Sequence, residues 1–251
     1  MARTAVSGRL GARLRWQAAS LVERQAESPS AQTLVFDVPG WAGHLPGQHV
    51  DVRLTAEDGY STQRSYSVAS AAAGDRVELT VQRVRNGEVS PYLADELAVG
   101  DAVEIRGPVG GWFVWRPEQK EPVLLVAGGS GLVPLMAMVR ARAMLGSMVP
   151  FRLLYSLREP ADRLYGAELD RGSPGLDTTY VYTRTAPLDG VRPAGRLAAE
   201  DLVRWGWPAD LEPTCYVCGP TGFVESAAGL LVALGHDPER IRTERFGPTG
   251  G

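Results

Sequence analysis

The sequence predicts two domains: a closed, six-stranded antiparallel β-barrel, then an α/β domain built on a parallel sheet. Three observations carry this prediction. The first half holds six short segments that are β-branched or alternating, separated by Gly and Pro turns such as Pro39-Gly40 and Pro46-Gly47. Past Trp115-Arg116-Pro117, apolar strand segments alternate with helical ones, as in a parallel sheet covered on both faces. The 251 residues also suffice for two domains of roughly 100–200 residues each. The boundary is placed at residue 116, giving a barrel over 1–116 and an α/β domain over 117–251.

In chain order, the barrel strands are expected over 13–24, 33–38, 49–54, 65–69, 77–84 and 102–106, with one helix over 90–97. In the second domain, strands are expected over 123–127, 151–156, 178–183 and 214–218. Helices are expected over 134–145, 165–170, 198–205 and 222–234.

Composition excludes several classes. Hydrophobic content of 44% and charged content of 22% are those of a core-forming globular chain. A net charge of -3 offers no electrostatic reason to expect nucleic acid or an anionic membrane as partner. No apolar run approaches the ~20 residues needed to cross a bilayer. Residues 1–12 are broken by Arg3, Arg9 and two glycines, unlike a signal peptide, so a cytoplasmic location is expected. The only cysteines, Cys215 and Cys218, cannot supply the four thiolates of a two-iron cluster. The three histidines (His44, His49, His236) show no metal-ligand spacing and are expected at surfaces or turns.

Four motifs carry the chemistry. In Arg64-Ser65-Tyr66-Ser67-Val68-Ala69-Ser70, strand geometry sends Arg64, Tyr66 and Val68 to one face and Ser65, Ser67 and Ala69 to the other. A cation, a ring and hydroxyls so close together suit a ligand with an anionic part and a flat aromatic part; a half-exposed polar strand reads the same. Gly87-Glu88-Val89-Ser90 leads into the first helix, with Ser90 as its expected N-cap and Pro91 at its first position. Free N–H groups there suit a phosphate, although a capped helix without ligand has the same pattern.

Gly128-Gly129-Ser130-Gly131-Leu132-Val133-Pro134 joins a strand to a helix, where glycines allow close approach of a pyrophosphate or merely a tight turn. Cys218-Gly219-Pro220 ends a strand, the position at which open α/β sheets bind ligands. A buried, inert cysteine is the alternative. A redox pair with Cys215 is disfavoured, since on one strand the two thiols face opposite ways.

Taken in order, these motifs resemble the ferredoxin–NADP reductase family in its bacterial oxygenase-reductase branch, over about residues 13–246. The resemblance implies that Arg64 pairs with a flavin pyrophosphate, Tyr66 stacks on the flavin ring and Ser67 bonds near its reactive nitrogen. It implies that Val81, Gln82 and Arg83 line the ribityl and ring edge. Gly87, Val89 and Ser90 would form a second phosphate turn that favours FAD. Gly128, Gly129, Ser130, Gly131 and Pro134 would cradle a nicotinamide dinucleotide, with Cys218, Gly219 and Pro220 beside the nicotinamide. Glu244 would support hydride transfer and Phe246 would cover part of the flavin. Tyr66, Ser67, Cys218 and Glu244 are thus the candidate catalytic residues.

Arg158, Arg184 and Arg196 favour NADPH over the alternative, NADH, because a 2′-phosphate needs cationic partners. The family's aromatic residue two places after Arg196 is replaced by Ala198. The activity implied is hydride transfer from the nicotinamide to FAD, then single electrons to a separate acceptor protein such as a ferredoxin or oxygenase component. A diaphorase-like free-flavin reductase and a non-catalytic flavin-binding interaction or sensing subunit are the alternatives.

Overall fold

The computed structural model describes residues 14–56 and 58–247. The predicted strand start at Arg13, the segment 1–12 and the tail 248–251 lie outside the described residues. Six antiparallel strands form the first sheet: β1 (Trp16–Ser28), β2 (Ala31–Asp37), β3 (His49–Thr55), β4 (Ser61–Ser67), β5 (Arg76–Gln82) and β6 (Ala102–Val109). Their order is β4-β3-β6-β1-β2-β5. The two edge strands meet only beyond the end of β4, at a bridge between Val68 and Leu79 and the Ala69 N–H to Glu78 carbonyl bond of 2.8 Å. The barrel is closed at one point and open along the rest of that seam.

Strand alternation fills the barrel. Leu34, Phe36, Val50, Val52, Val77, Leu79, Val81 and Ile105 point inward and are fully buried. Strand β1 runs to Ser28, past its expected end at Arg24, and shifts in register after Leu21 and Ala26 bend it. Its first half pairs with β6 and its second with β2. Helix α1 (Val89–Pro91) continues as a wide π-helical turn over Tyr92–Glu96. It seats Val89 and Leu93 in the barrel core.

The second domain alternates β7 (Val123–Gly128), α2 (Leu132–Met144), β8 (Phe151–Leu157), α3 (Gly166–Arg171), β9 (Leu176–Tyr182), α4 (Ala199–Trp205), β10 (Thr214–Pro220), α5 (Thr221–Ala233) and β11 (Ile241–Phe246). The sheet is wholly parallel, in the order β11-β10-β7-β8-β9. Buried on both faces, β7 reads as an unbroken apolar run. Phe113 and Trp115 pack into this domain's core, with Trp115 edge-on to Phe151 at 5.5 Å. Burying a side chain such as Phe113 is worth about 1.5–3 kcal/mol, so the connecting segment is tied to the α/β core.

Three expectations are corrected. Strand β4 begins at Ser61 rather than 65; its polar start, Ser-Thr-Gln-Arg, is held by pairing with β3 and has no buried run to advertise it. Strand β11 is not among the expected strands, because only Ile241 of its six residues is buried. His44 and His236 lie in connecting segments but are buried there, and His49 opens β3, half-buried, rather than sitting at a surface or turn. His44 accepts the Trp41 indole N–H at 3.1 Å, which leaves its Nε2 to donate to the Ser70 carbonyl at 2.9 Å.

Candidate functional site: an open barrel seam facing a strand-end cleft

The barrel side of the site is the seam between β4 and β5. Extending the antiparallel register from the Val68–Leu79 bridge sets Tyr66 level with Val81 and Arg64 level with Arg83. The strands do not pair there, so both edges keep backbone groups free for a ligand. Tyr66 packs half-buried against the barrel core, and burial pushes its hydroxyl up to about 12, with the Arg64 charge acting the other way. Exposed Arg64 makes no ion pair among the described residues and touches only the Gln63 carbonyl, at 2.7 Å. Arg83 lies 3.3 Å from Asp95.

Val81 and Val89 turn their side chains into the core, which leaves only their backbones to meet a ligand. Ser90 is not the N-cap. Glu88 occupies that position, and the Ser90 hydroxyl inside the helix accepts the Val84 N–H at 3.0 Å. Gly87 is held tight, since a Cβ there would lie 3.1 Å from the Ser90 hydroxyl.

The second half of the site is a cleft along the carboxyl ends of β7, β8, β9 and β10. The order of strand addition reverses between β7 and β10, since the chain runs outward through β8 and β9 on one side of β7 and returns to β10 on the other. This is the switch point at which such sheets take ligands. Two turns cross there in near contact. A Cβ on Gly131 would stand 2.1 Å from the Cys218 carbonyl oxygen, one on Gly219 3.1 Å from the Gly128 Cα, and one on Gly128 2.5 Å from the Phe223 ring. These three glycines are therefore required by the protein's own packing. Gly129 differs: its φ is +54° and no atom lies within 4 Å of its Cβ position, so its backbone faces open space. Helix α2 starts at Leu132, two residues earlier than expected, which puts buried Pro134 in its first turn, where no N–H is needed.

A hollow of ≈ 280 Å³ beside this crossing is lined by Gln82 of the barrel with Gly129, Ser130, Arg158, Asp162 and Phe246. It adjoins one of ≈ 410 Å³ that contains Thr183, Arg196 and Ser226. Ser156, Thr183, Pro220 and Phe223 line both. Arg158 and Arg196 thus enter the cleft. Arg184 does not line it; its backbone N–H bonds the Arg158 carbonyl at 3.0 Å. Sequence reasoning missed Phe223, Asp162 and Ser156. The Thr221-Gly222-Phe223 run after Cys218-Gly219-Pro220 was the available signal for an aromatic residue on the crossing.

Seam and cleft meet at three side chains. Cys218 pairs in register with Glu244, and Ser67 of the barrel donates to the Glu244 carboxylate at 3.2 Å. Burial raises Glu244 to about 7, against the lowering effect of the Ser67 bond. Burial, and then the Glu244 charge, push the Cys218 thiol well above its ordinary value. Cys218 is therefore a small neutral thiol and no nucleophile. Cys215 faces the other side of β10, in the core with Val217, so the two cysteines do not pair.

The residues fit a flavin and a dinucleotide. The seam pairs a ring with an arginine that makes no ion pair among the described residues, and the cleft offers open glycine backbone flanked by arginines. Comparison with known proteins agrees. The oxidoreductase FAD-binding domain matches residues 18–114, and the oxidoreductase NAD-binding domain matches residues 125–229. The chain belongs to the ferredoxin–NADP reductase family. It is an FAD- and NAD-binding oxidoreductase of that family, with the two-domain fold expected.

A flavohemoprotein of Pseudomonas putida is 30% identical over 234 residues, which cover 91% of this chain and 58% of that one. The 2-halobenzoate 1,2-dioxygenase electron transfer component of Burkholderia cepacia is 29% identical over 237 residues, covering 92% and 67%. The flavohem-like FAD/NAD binding domain of nitric oxide dioxygenase from Vibrio cholerae superposes with a TM-score of 0.83 at 26% identity, covering 92% and 99%. The chain spans about three fifths of the length of the flavohemoproteins of Pseudomonas putida and Deinococcus radiodurans that it matches. Among the described residues, no helix is long and apolar enough to cross a membrane.

Proposed function

We propose that this chain takes reducing equivalents from NADPH and delivers electrons to a separate redox protein, a ferredoxin or an oxygenase component, in the cytoplasm. The observation that carries this reading is the junction of Ser67, Glu244 and Cys218. It brings a barrel strand within 3.2 Å of the α/β sheet where the seam opens onto the cleft. When bound, FAD supplies two-electron acceptance from the nicotinamide and one-electron release.

The residues of this chain bind, orient and exclude. Arg64 and the Gly87–Ser90 turn would hold the pyrophosphate, Tyr66 would meet the ring, and Val81, Gln82 and Arg83 would border it, with Val81 acting through its backbone. Gly129, Ser130 and Arg158 hold the dinucleotide and Arg196 meets its 2′-phosphate, while Gly128, Gly131 and Gly219 keep the two turns close enough to shape the cleft. Cys218 would present an uncharged thiol at the junction, in register with Glu244. Glu244, bonded by Ser67, would hold a proton at the junction of seam and cleft, and Phe246, which lines the hollow, would shield it. On this reading residues 1–116 serve FAD and 117–251 serve the nicotinamide.

The Burkholderia cepacia relative, named as an electron transfer component of a dioxygenase, supports a protein acceptor. Steady-state turnover with ferredoxins and oxygenase components, set against turnover with free FMN, tests the reading. Saturable turnover with a protein carrier that exceeds the free-flavin rate is expected. A saturable preference for free flavin would overturn it.

A further inference from the structure

Tyr165 sits at the far end of the loop that carries Arg158, Asp162 and Leu164 past the cleft. It is 3% exposed and its backbone is left-handed, at φ 52° and ψ 30°, a conformation uncommon for a bulky residue. That turn keeps the ring in the α/β core cluster and carries its hydroxyl across to the outer face of β5. Its hydroxyl bonds Thr80 of β5. Thr80 bonds Thr33 at 2.7 Å, and Thr33 donates to Glu27 Oε1 at 2.8 Å. Glu27 Oε2 then accepts the Tyr165 backbone N–H at 2.9 Å.

The donors are fixed in direction. A carboxylate only accepts, so Thr33 donates to Glu27, Thr80 to Thr33, and Tyr165 to Thr80. Each hydroxyl gives its single proton to the next group, and the ring closes on Tyr165 itself. Burial raises the Tyr165 hydroxyl far above its ordinary value, which keeps it a donor. Arg140 braces the ring from α2. Its guanidinium lies 4.8 Å from the Tyr165 ring centroid and bonds Glu78 at 2.9 Å, the Ala69 carbonyl at 3.0 Å and Glu168 at 2.6 Å.

Thr80 stands two residues from Gln82, which lines the same hollow as Arg158. The ring thus ties one wall of the cleft to the barrel strand that borders the seam. We infer that Tyr165 is a positioning residue: through Thr80, Thr33 and Glu27 it fixes the dinucleotide loop at one distance from β5, and so sets the approach of nicotinamide to flavin. The inference rests on the proposed function for its kinetic consequence, and on the geometry alone for the ring. Misplacement by ~1 Å is enough to slow a transfer by about 10²-fold.

The test compares wild type with Y165F, T80V, T80S and the double variant Y165F/T80V. Amide hydrogen exchange of residues 78–83 and 158–166, followed in flavin-free protein, reads the ring directly. Stopped-flow reduction of flavin-loaded protein by NADPH and by NADH reads its consequence. Y165F and T80V are expected to exchange faster in both segments and to reduce about tenfold more slowly at saturating dinucleotide, with little change in Kd. T80S, which keeps the hydroxyl, is expected to match wild type. The double variant is expected to be no worse than the worse single one, as for residues acting in one network. Unchanged exchange in both segments would overturn the ring. Faster exchange with an unchanged limiting rate would overturn its positioning role. Failure to bind any flavin would count against the proposed function, while the exchange measurement would still decide the ring.

Discussion

The two halves of the site are built by opposite means. The barrel seam exists because pairing is missing: β4 and β5 meet at one bridge, and side chains such as Arg64 and Tyr66 occupy the gap. The strand-end cleft exists because side chains are missing: Gly128, Gly131 and Gly219 let two turns cross at distances that no Cβ permits. The seam should therefore lose its ligand when a side chain is removed and keep its fold. The cleft should lose its shape when a side chain is added.

The sharpest way to break this contrast is Gly131→Ala. Its new methyl would meet the Cys218 carbonyl oxygen at 2.1 Å, backbone against which nothing flexible can give. Thermal unfolding is expected to show a loss of about 3 kcal/mol, or roughly 10 °C in Tm. A Tm within a degree or two of wild type would mean that the crossing is looser than it looks. Tyr66→Ala is the counterpart in the seam. The protein should fold with near-normal Tm but retain flavin about thirtyfold more weakly, as loss of a stacked ring of about 2 kcal/mol implies. Flavin absorbance after gel filtration measures it.

Cys218→Ala, at the junction, should keep its flavin and reduce it about tenfold more slowly in stopped flow. Glu244 adds a pH dependence. Its folded value of about 7 stands above the ordinary 4.5, so between those values the folded protein holds a proton that the unfolded chain has released. Stability contributed at this site is full below pH 4.5 and is lost as pH rises through 7. Glu244→Gln should remove that part of the slope in flavin-free protein, and the gap between variant and wild type should therefore shift in the variant's favour from pH 5 to pH 8. The smallest effect is expected at exposed Arg196. Arg196→Gln should shift the NADPH-to-NADH preference by about threefold to fivefold, the scale of one solvent-screened charge pair.

The same contrast explains what was legible in the sequence. Strand β7, buried on both faces, and the glycine turn after it leave a local signature, because burial and backbone approach both restrict residue type. The reason for those glycines was not legible: Gly131 is held by Cys218, 87 positions away, and only the fold brings them together. The N-cap reading of Ser90 failed because its hydroxyl serves Val84, upstream, instead of the helix N–H groups. Strand β11 was hidden because an edge strand with arginines and a glutamate has no apolar rhythm, although it is this strand that delivers Glu244 to Ser67. Arg184 looked equivalent to Arg196 along the chain, yet only Arg196 lines the cleft. Tyr165 carried no motif at all; a left-handed tyrosine whose hydroxyl reaches across to another domain has no local pattern to betray it.

The central claim is that seam and cleft hold a flavin and a nicotinamide dinucleotide face to face. An anaerobic titration of the purified protein, following flavin absorbance with NADPH and NADH in parallel, tests it most directly. A yellow protein that bleaches rapidly, at lower concentration with NADPH, is the predicted result. A colourless protein that takes up no added FAD, or a flavin that neither dinucleotide reduces, would contradict it.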